Sequence, residues 1–444
     1  MGRPMLWNRL SSFQLVILGF LSVILIGSLL LTLPVSARSG QWSSFSDALF
    51  TATSAVCVTG LVVQDTATYW SSFGQAVILL LIQIGGLGVA SMAALIALLS
   101  GRRINLLQRS TLQDALSAHQ IGGVVKMTAF LLKSALLVEL IGAVLLLPVF
   151  CGRWGIQGLW MALFHSVSAF CNAGFDVMGD KTGPFTSLCI FGAHPWVILV
   201  VCLLIVLGGL GFLTWDDFCT HRWQFRQYRM QSKVILCATT VLIALPALFL
   251  FFTQFQDCAP IERLCLSLFQ AVTPRTAGFN TVEFRALSPG CRAMMIVLML
   301  IGGSPGSTAG GMKTTTAAVL VANALTVFRR RKSITLFGRR LEDGVVNSAA
   351  ALLLLYLMLP LTGAVILSAV EGLPVGPCLF ETASALGTVG LSLGLTPTLG
   401  TVSRIVLIVL MFLGRVGGLT LIYAMFSRAG QEVSLRPIEK IMVG

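Results

Sequence analysis

FTATSAVCVTGL, residues 50–61, returns three more times along the chain in altered form: FHSVSAFCNAGF from Phe164, FQAVTPRTAGF from Phe269 and FETASALGTVGL from Phe380. Each copy opens on Phe, carries Ser or Thr four residues on, and closes on Gly followed by Leu or Phe. Taking Gly60, Gly174, Gly278 and Gly390 as equivalent gives spacings of 114, 104 and 112 residues, an internal repeat. The third copy is one residue shorter between its Phe and its Gly.

The chain around these copies is apolar. Of 444 residues, 56% are hydrophobic and only 11% are charged, against about 25% charged in soluble domains; this is a membrane protein. Eight runs are long enough for a crossing of roughly 20 residues: Leu15 to Leu33, Phe73 to Leu99, Met127 to Phe150, Val197 to Leu213, Val234 to Phe252, Met294 to Val327, Ala349 to Val370 and Ile405 to Phe426. One copy of the repeat lies between each odd run and the even run after it. The unit is span, short segment, span, at 11–100, 126–218, 234–330 and 346–427, with a tail at 428–444. Two crossings per unit make all four units face the same way.

The net charge of +13 is explained by where the charges lie. Arg102, Arg103, Arg109 and Lys126 follow the second span; Arg222, Arg226, Arg229 and Lys233 follow the fourth; Arg329, Arg330, Arg331, Lys332, Arg339 and Arg340 follow the sixth. The positive-inside rule makes these loops cytoplasmic, together with both termini (Arg3, Arg9; Arg428, Arg436, Lys440), in the cytoplasmic membrane. Nucleic acid is therefore not the expected partner; membrane lipid is. The first apolar run is of full span length and has no clear small-residue cleavage site, so it does not read as a signal peptide. Eleven cysteines lack metal spacing and imply no disulfide framework. His119, His165, His194 and His221 are each isolated, and a lone histidine is more often structural than a ligand.

About ten residues from Phe to Gly cannot cross a bilayer as helix. Each short segment must enter and leave on the outer side, and irregular backbone at membrane depth persists only when buried in protein or lining an aqueous cavity. Four such segments around a pseudo-fourfold axis would make that cavity. A short helix ending in Gly then offers a ring of carbonyls able to replace an ion's hydration shell, because Gly adopts φ > 0 and lets successive carbonyls point one way. A helix-terminating Gly in an ordinary turn is the simpler account of any one copy; four in the same register weaken it.

The even spans carry their own echo: IGGLG at 84–88, LGGLG at 207–211, IGGSPG at 301–306 and LGRVG at 413–417, which aligns Arg415 with Gly86, Gly209 and Gly303. The third is extended into GGSPGSTAGGMKTTT, residues 302–316, which nearly spells a phosphate-binding loop. Gly306 and Gly311 have that spacing, but Met312 precedes Lys313, and the run sits inside a span where the motif needs a strand before it. Its Gly, Ser and Thr break the helix instead, which is tolerable where the backbone faces a pore. A bare arginine at bilayer depth costs at least about 2.5 to 3.5 kcal/mol, so Arg415 has a task. Glu139 lies equally deep, and pairing with a neighbour such as Lys133 accounts for it without a pore role.

VCVTGL, CNAGF, RTAGF and TVGLS at this spacing resemble the potassium transporter superfamily of Ktr, Trk and HKT proteins over essentially the whole chain. Eight spans beginning at the first repeat, and the ending RPIEKIMVG, are most similar to the Ktr membrane subunit; a Trk-type transporter is the alternative. The resemblance implies an all-α membrane fold of four span, pore-helix, span units around one pore. It implies a potassium filter of the carbonyls of Val58, Thr59, Gly60, Asn172, Ala173, Gly174, Thr276, Ala277, Gly278, Thr388, Val389 and Gly390. Glycine in all four copies matches the potassium-selecting branch. Residues 302–316, with Gly302, Gly303, Gly306, Gly310, Gly311 and Lys313, become an intramembrane gate opposite Arg415. Potassium is the transported ion, sodium is the candidate coupling ion, and the partners are a second copy and a cytoplasmic nucleotide-binding ring of RCK type. An ATP-driven enzyme using residues 306–314 lacks a nucleotide domain, and a scaffold without transport leaves the four Gly-ended segments unexplained.

Overall fold

A computed structural model describes residues 12–89, 91–92, 124–331, 333–342 and 344–417. The basic loop after the second span, Lys332, the far ends of the second and eighth expected spans, the termini and the tail 428–444 lie outside the described residues.

A long helix, a short helix and a second helix follow one another four times. The long ones are α1 (Ser12–Thr32), α4 (Val124–Trp154), α8 (Met230–Thr253) and α12 (Val345–Glu371), and each is long and apolar enough to cross a membrane. Helix α1 presents Leu25, Ile26 and Leu29 outward, while Ser22 and Ser28 donate back to the carbonyls of Leu18 and Ile24, both at 2.7 Å. That outer face is apolar, and its one hydroxyl among these two, Ser22, is satisfied within the helix, as lipid requires.

The short helices are α2 (Phe45–Val56), α5 (Gln157–Phe170), α9 (Pro260–Val272) and α13 (Val375–Leu386). At ~1.5 Å per residue they reach only about 18 to 21 Å, and they are interior: Phe50, Phe164, Phe269 and Phe380 are all at most 1% exposed. The shared Phe is thus the core anchor of each short helix, fixing its depth through burial of a large side chain.

The second helices are broken in more units than the sequence predicts. They are α3 (Ser72–Leu87), α6 (Pro195–Gly209) with α7 (Phe212–His221), α10 (Pro289–Leu300) with α11 (Thr314–Phe328), and α14 (Thr401–Val416). Helices α6 and α7 meet at a 98° bend, α10 and α11 are separated by the Gly-rich loop, and α3 and α14 stop at Gly88 and Gly417. A break was expected in the third unit alone. Gly88, Gly211, Gly306 and Gly417 all have positive φ, between 66° and 89°, a conformation outside the α-helix that a side chain opposes. The glycines just before them serve contact: a Cβ on Gly85, Gly208 or Gly414 would overlap the carbonyl oxygen of Val56, Phe170 or Leu386, the last residue of α2, α5 or α13.

Chain ends far apart in sequence are tied together. Arg404 of α14 donates to Asp47 of α2 at 2.7 Å, and Gln64 donates to the other carboxylate oxygen at 3.0 Å. Sequence reasoning missed this pair, since nothing local in either segment announces it.

Candidate functional site

Three of the four short helices end in the same backbone turn. In the first, Thr59 N–H donates to Ser54 O at 2.8 Å and Val58 N–H to Ala55 O at 3.1 Å; the second and fourth repeat this with Ala173 to Ser168 and Asn172 to Ala169, and with Val389 to Ser384 and Thr388 to Ala385, at the same distances. This is a Schellman closure. The third, one residue shorter, closes from Ala277 to Thr273 at 3.0 Å.

The turns need a left-handed residue twice. Gly60, Gly174, Gly278 and Gly390 have φ of 88°, 67°, 80° and 90°, and two residues earlier Val58, Asn172, Thr276 and Thr388 have φ of 57°, 58°, 70° and 50°. Left-handed backbone costs a non-glycine residue about 1 to 2 kcal/mol, and β-branched residues adopt it rarely. The same left-handed conformation at the same place four times marks a functional geometry. Sequence reasoning found the glycines and missed the strained partners, because Val and Thr announce the opposite preference.

The turns meet. A Cβ on Gly60 would overlap Ala173 O, one on Gly174 Ala277 O, one on Gly278 Val389 O, and one on Gly390 Thr59 O. The contacts therefore run first to second, second to third, third to fourth and fourth back to first. Thr59 Oγ1, Asn172 Oδ1, Thr276 Oγ1 and Thr388 Oγ1 are buried there without a hydrogen-bond partner among the described residues.

The Gly-rich loop packs directly against these turns. Asn172 donates to Thr308 Oγ1 at 2.9 Å, and a Cβ on Gly310 would overlap Thr388. Gly302 N–H donates to Met312 O at 2.7 Å, Thr314 N–H to Gly303 O at 3.0 Å, and Ser304 N–H and Thr308 N–H to Gly209 O and Gly208 O at 3.0 and 3.2 Å. Phe212 N–H returns a bond to Gly306 O at 2.9 Å. The loop is thus stitched into the break between α6 and α7. Helix α10 precedes it, not a strand, and Gly311 takes φ 68° where it turns into α11.

Arg415 donates through Nη1 to Thr308 O and through Nη2 to Gly85 O and Gly86 O. One guanidinium thereby joins the end of α14, the loop and the end of α3, and carbonyls solvate its charge in place of water. Lys313 folds back so that its ammonium donates to Ala309 O at 2.8 Å. Glu139 corrects the expected pairing with Lys133. Six residues apart on one helix, the two project to different faces; Lys133 is exposed, and the buried Glu139 accepts from Gln83 at 3.0 Å on both oxygens.

The family model described as TrkH, cation transport protein, matches residues 8–433. The chain belongs to this family. It is 39% identical to the potassium/sodium uptake protein NtpJ of Enterococcus hirae, covering 98% of each chain. It is 37% identical to the Ktr system potassium uptake protein B of Bacillus subtilis over 99% of this chain and 98% of that one. Against the protein of the same description from Vibrio alginolyticus it is 34% identical, covering 97% and 94%. The solved potassium transporter TrkH of Vibrio parahaemolyticus shares the fold, with a TM-score of 0.75 at 20% identity over 95% of this chain and 86% of that one. As an all-α membrane protein similar to uptake proteins, this member of the TrkH family is a transporter and not an enzyme.

Proposed function

We infer that this protein is the pore-forming subunit of a Ktr-type potassium uptake system in a cytoplasmic membrane. The observation that carries the reading is the closed set of four strained turns, each with two left-handed residues and each against the next. Such turns direct carbonyls to a common axis, where they can stand in for water around a dehydrated cation. The unpartnered Thr and Asn oxygens in these turns suit a cation passing between them. The four units surround this axis as pseudo-fourfold repeats, and residues 302–316 with Arg415 form the gate below it. Inward movement of one cation gains about 2.3 kcal/mol per 100 mV of inside-negative potential, so accumulation proceeds without ATP on this chain. Sodium enters as coupling ion or second substrate, in keeping with the potassium/sodium uptake relative.

Expression in bacterial cells stripped of their own potassium uptake systems tests the reading: growth at low external potassium is expected to return. Protein correctly inserted in the membrane without any gain in potassium uptake would overturn it.

The chain acts as a homodimer carrying a cytoplasmic nucleotide-binding ring of RCK type, in keeping with relatives described as parts of a Ktr system. Arg329, Arg330 and Arg331 are exposed at the end of α11. They are followed by a hairpin pairing Thr335–Leu336 with Arg339–Arg340, whose Phe337 ring meets Phe225 edge-on at 6.4 Å. Neutralising Arg329 to Lys332 is expected to weaken capture of the ring in pull-downs; unaltered capture by normally inserted protein would leave the charges a topological role only.

A further inference from the structure

The residue after the shared Phe differs in every short helix: Thr51, His165, Gln270 and Glu381, all fully buried. Thr51 Oγ1, His165 Nε2 and Gln270 Oε1 have no hydrogen-bond partner among the described residues, although Gln270 Nε2 donates to Thr281 at 3.0 Å. Glu381 is the only carboxylate of the four and the most fully engaged. Its Oε1 accepts from Ser392 Oγ at 2.7 Å and from Leu393 N–H at 2.9 Å, and its Oε2 accepts from Thr396 Oγ1 at 2.6 Å. These donors lie two, three and six residues beyond Gly390, on the strand of chain that leaves the fourth turn.

A backbone N–H only donates, so Oε1 must accept, and three donors on two oxygens suit the ionised carboxylate. Among the described residues no Lys, Arg or His forms an ion pair with Glu381; Arg285, nearby, donates to Leu393 O. A carboxylate buried without a cation is unfavourable, and hydrogen bonds offset that only in part. The missing positive charge can be mobile.

We propose that Glu381 is a specificity-determining residue for potassium: it holds residues 392–396 in place behind the fourth turn and supplies a buried negative charge whose counter-charge is the ion in the filter. This rests on the filter reading above and adds that the four units contribute unequally, the fourth alone carrying charge at this position. Losing the charge weakens ion capture, which appears in KM, and loosening residues 392–396 blurs the spacing of the carbonyls, which appears in selectivity. A part played only in folding would instead lower the amount of protein or Vmax.

The test is initial potassium uptake against external potassium, with and without competing sodium, at matched abundance in the membrane. Glu381→Gln keeps the shape, removes the charge and puts an N–H donor where an acceptor is needed. It is expected to raise KM for potassium at least fivefold and to lower the preference over sodium by a similar factor, with Vmax within twofold. Glu381→Asp should recover part of both. Wild-type KM and sodium competition in Glu381→Gln, or a fall in Vmax alone, would overturn the proposal. Should Glu381→Gln fail to reach the membrane, Thr396→Val removes one donor and keeps the carboxylate; unchanged KM and selectivity there count against the proposal equally. Gly390→Ser, measured alongside, separates the two readings: altered selectivity in Gly390→Ser with wild-type behaviour in Glu381→Gln rejects the role of Glu381 and retains the filter.

Discussion

Gly278→Ser is expected to lower the preference for potassium over sodium by at least about tenfold, and Gly60→Ser to act in the same direction. Two costs coincide at Gly278: φ is 80°, and the new Cβ would overlap Val389 O of the next turn. Left-handed strain alone is worth about 1 to 2 kcal/mol, and a tenfold change in selectivity corresponds to roughly 1.4 kcal/mol, so even partial relief by rotating carbonyls away from the axis reaches the expected size. Gly372 provides the control. It also has a positive φ, 68°, but a Cβ there meets nothing within 4 Å. Gly372→Ser should leave selectivity unchanged while carrying the same backbone strain. Competitive flux measurements on the three variants decide the matter, and wild-type discrimination in both Gly60→Ser and Gly278→Ser would remove the filter assignment.

Arg415→Ala is expected to raise the initial rate of potassium uptake by about five- to thirtyfold. A fixed positive charge about 8 Å from a passing cation, at an effective dielectric near 20, contributes roughly 2 kcal/mol to the barrier. Its removal also strips Thr308 O, Gly85 O and Gly86 O of their shared donor, so the loop loses a tether to α3 and α14. Deleting several residues between Gly306 and Gly311 should raise flux for the second reason alone. Lys313→Ala should leave transport near wild type, since among the described residues the Lys313 ammonium hydrogen-bonds Ala309 O, within its own loop. A phosphate-binding loop demands the reverse pattern, with both the deletion and Lys313→Ala inactive. That pair of results, in matched amounts of membrane protein, would end the gate reading.

Much of this was legible in residue order alone. An apolar chain with basic loops declares a membrane protein, and the recurring Phe and Gly declare where the short helices are anchored and where they turn, although each helix starts five to nine residues before its Phe. Both signals are local: a span needs about 20 apolar residues in a row, and a left-handed turn needs a residue without a Cβ. Even the misfit of Arg415 among apolar neighbours was visible, since charge at that depth is expensive wherever it occurs.

What only the tertiary structure decided lies between residues far apart. Val58, Thr276 and Thr388 adopt a backbone their β-branched side chains disfavour, in turns that each pack against the next. Helices α3 and α14 stop and α6 bends into α7 at glycines that, read singly, would have been tolerated inside a helix. Glu139 met Gln83 across 56 residues and not the nearby Lys133, Arg404 met Asp47 across 357, and Arg415 reached Gly85 across 330. A buried polar group must find its partner wherever packing brings one within reach, and that choice is made when the helices close on one another, after every local preference has already been expressed.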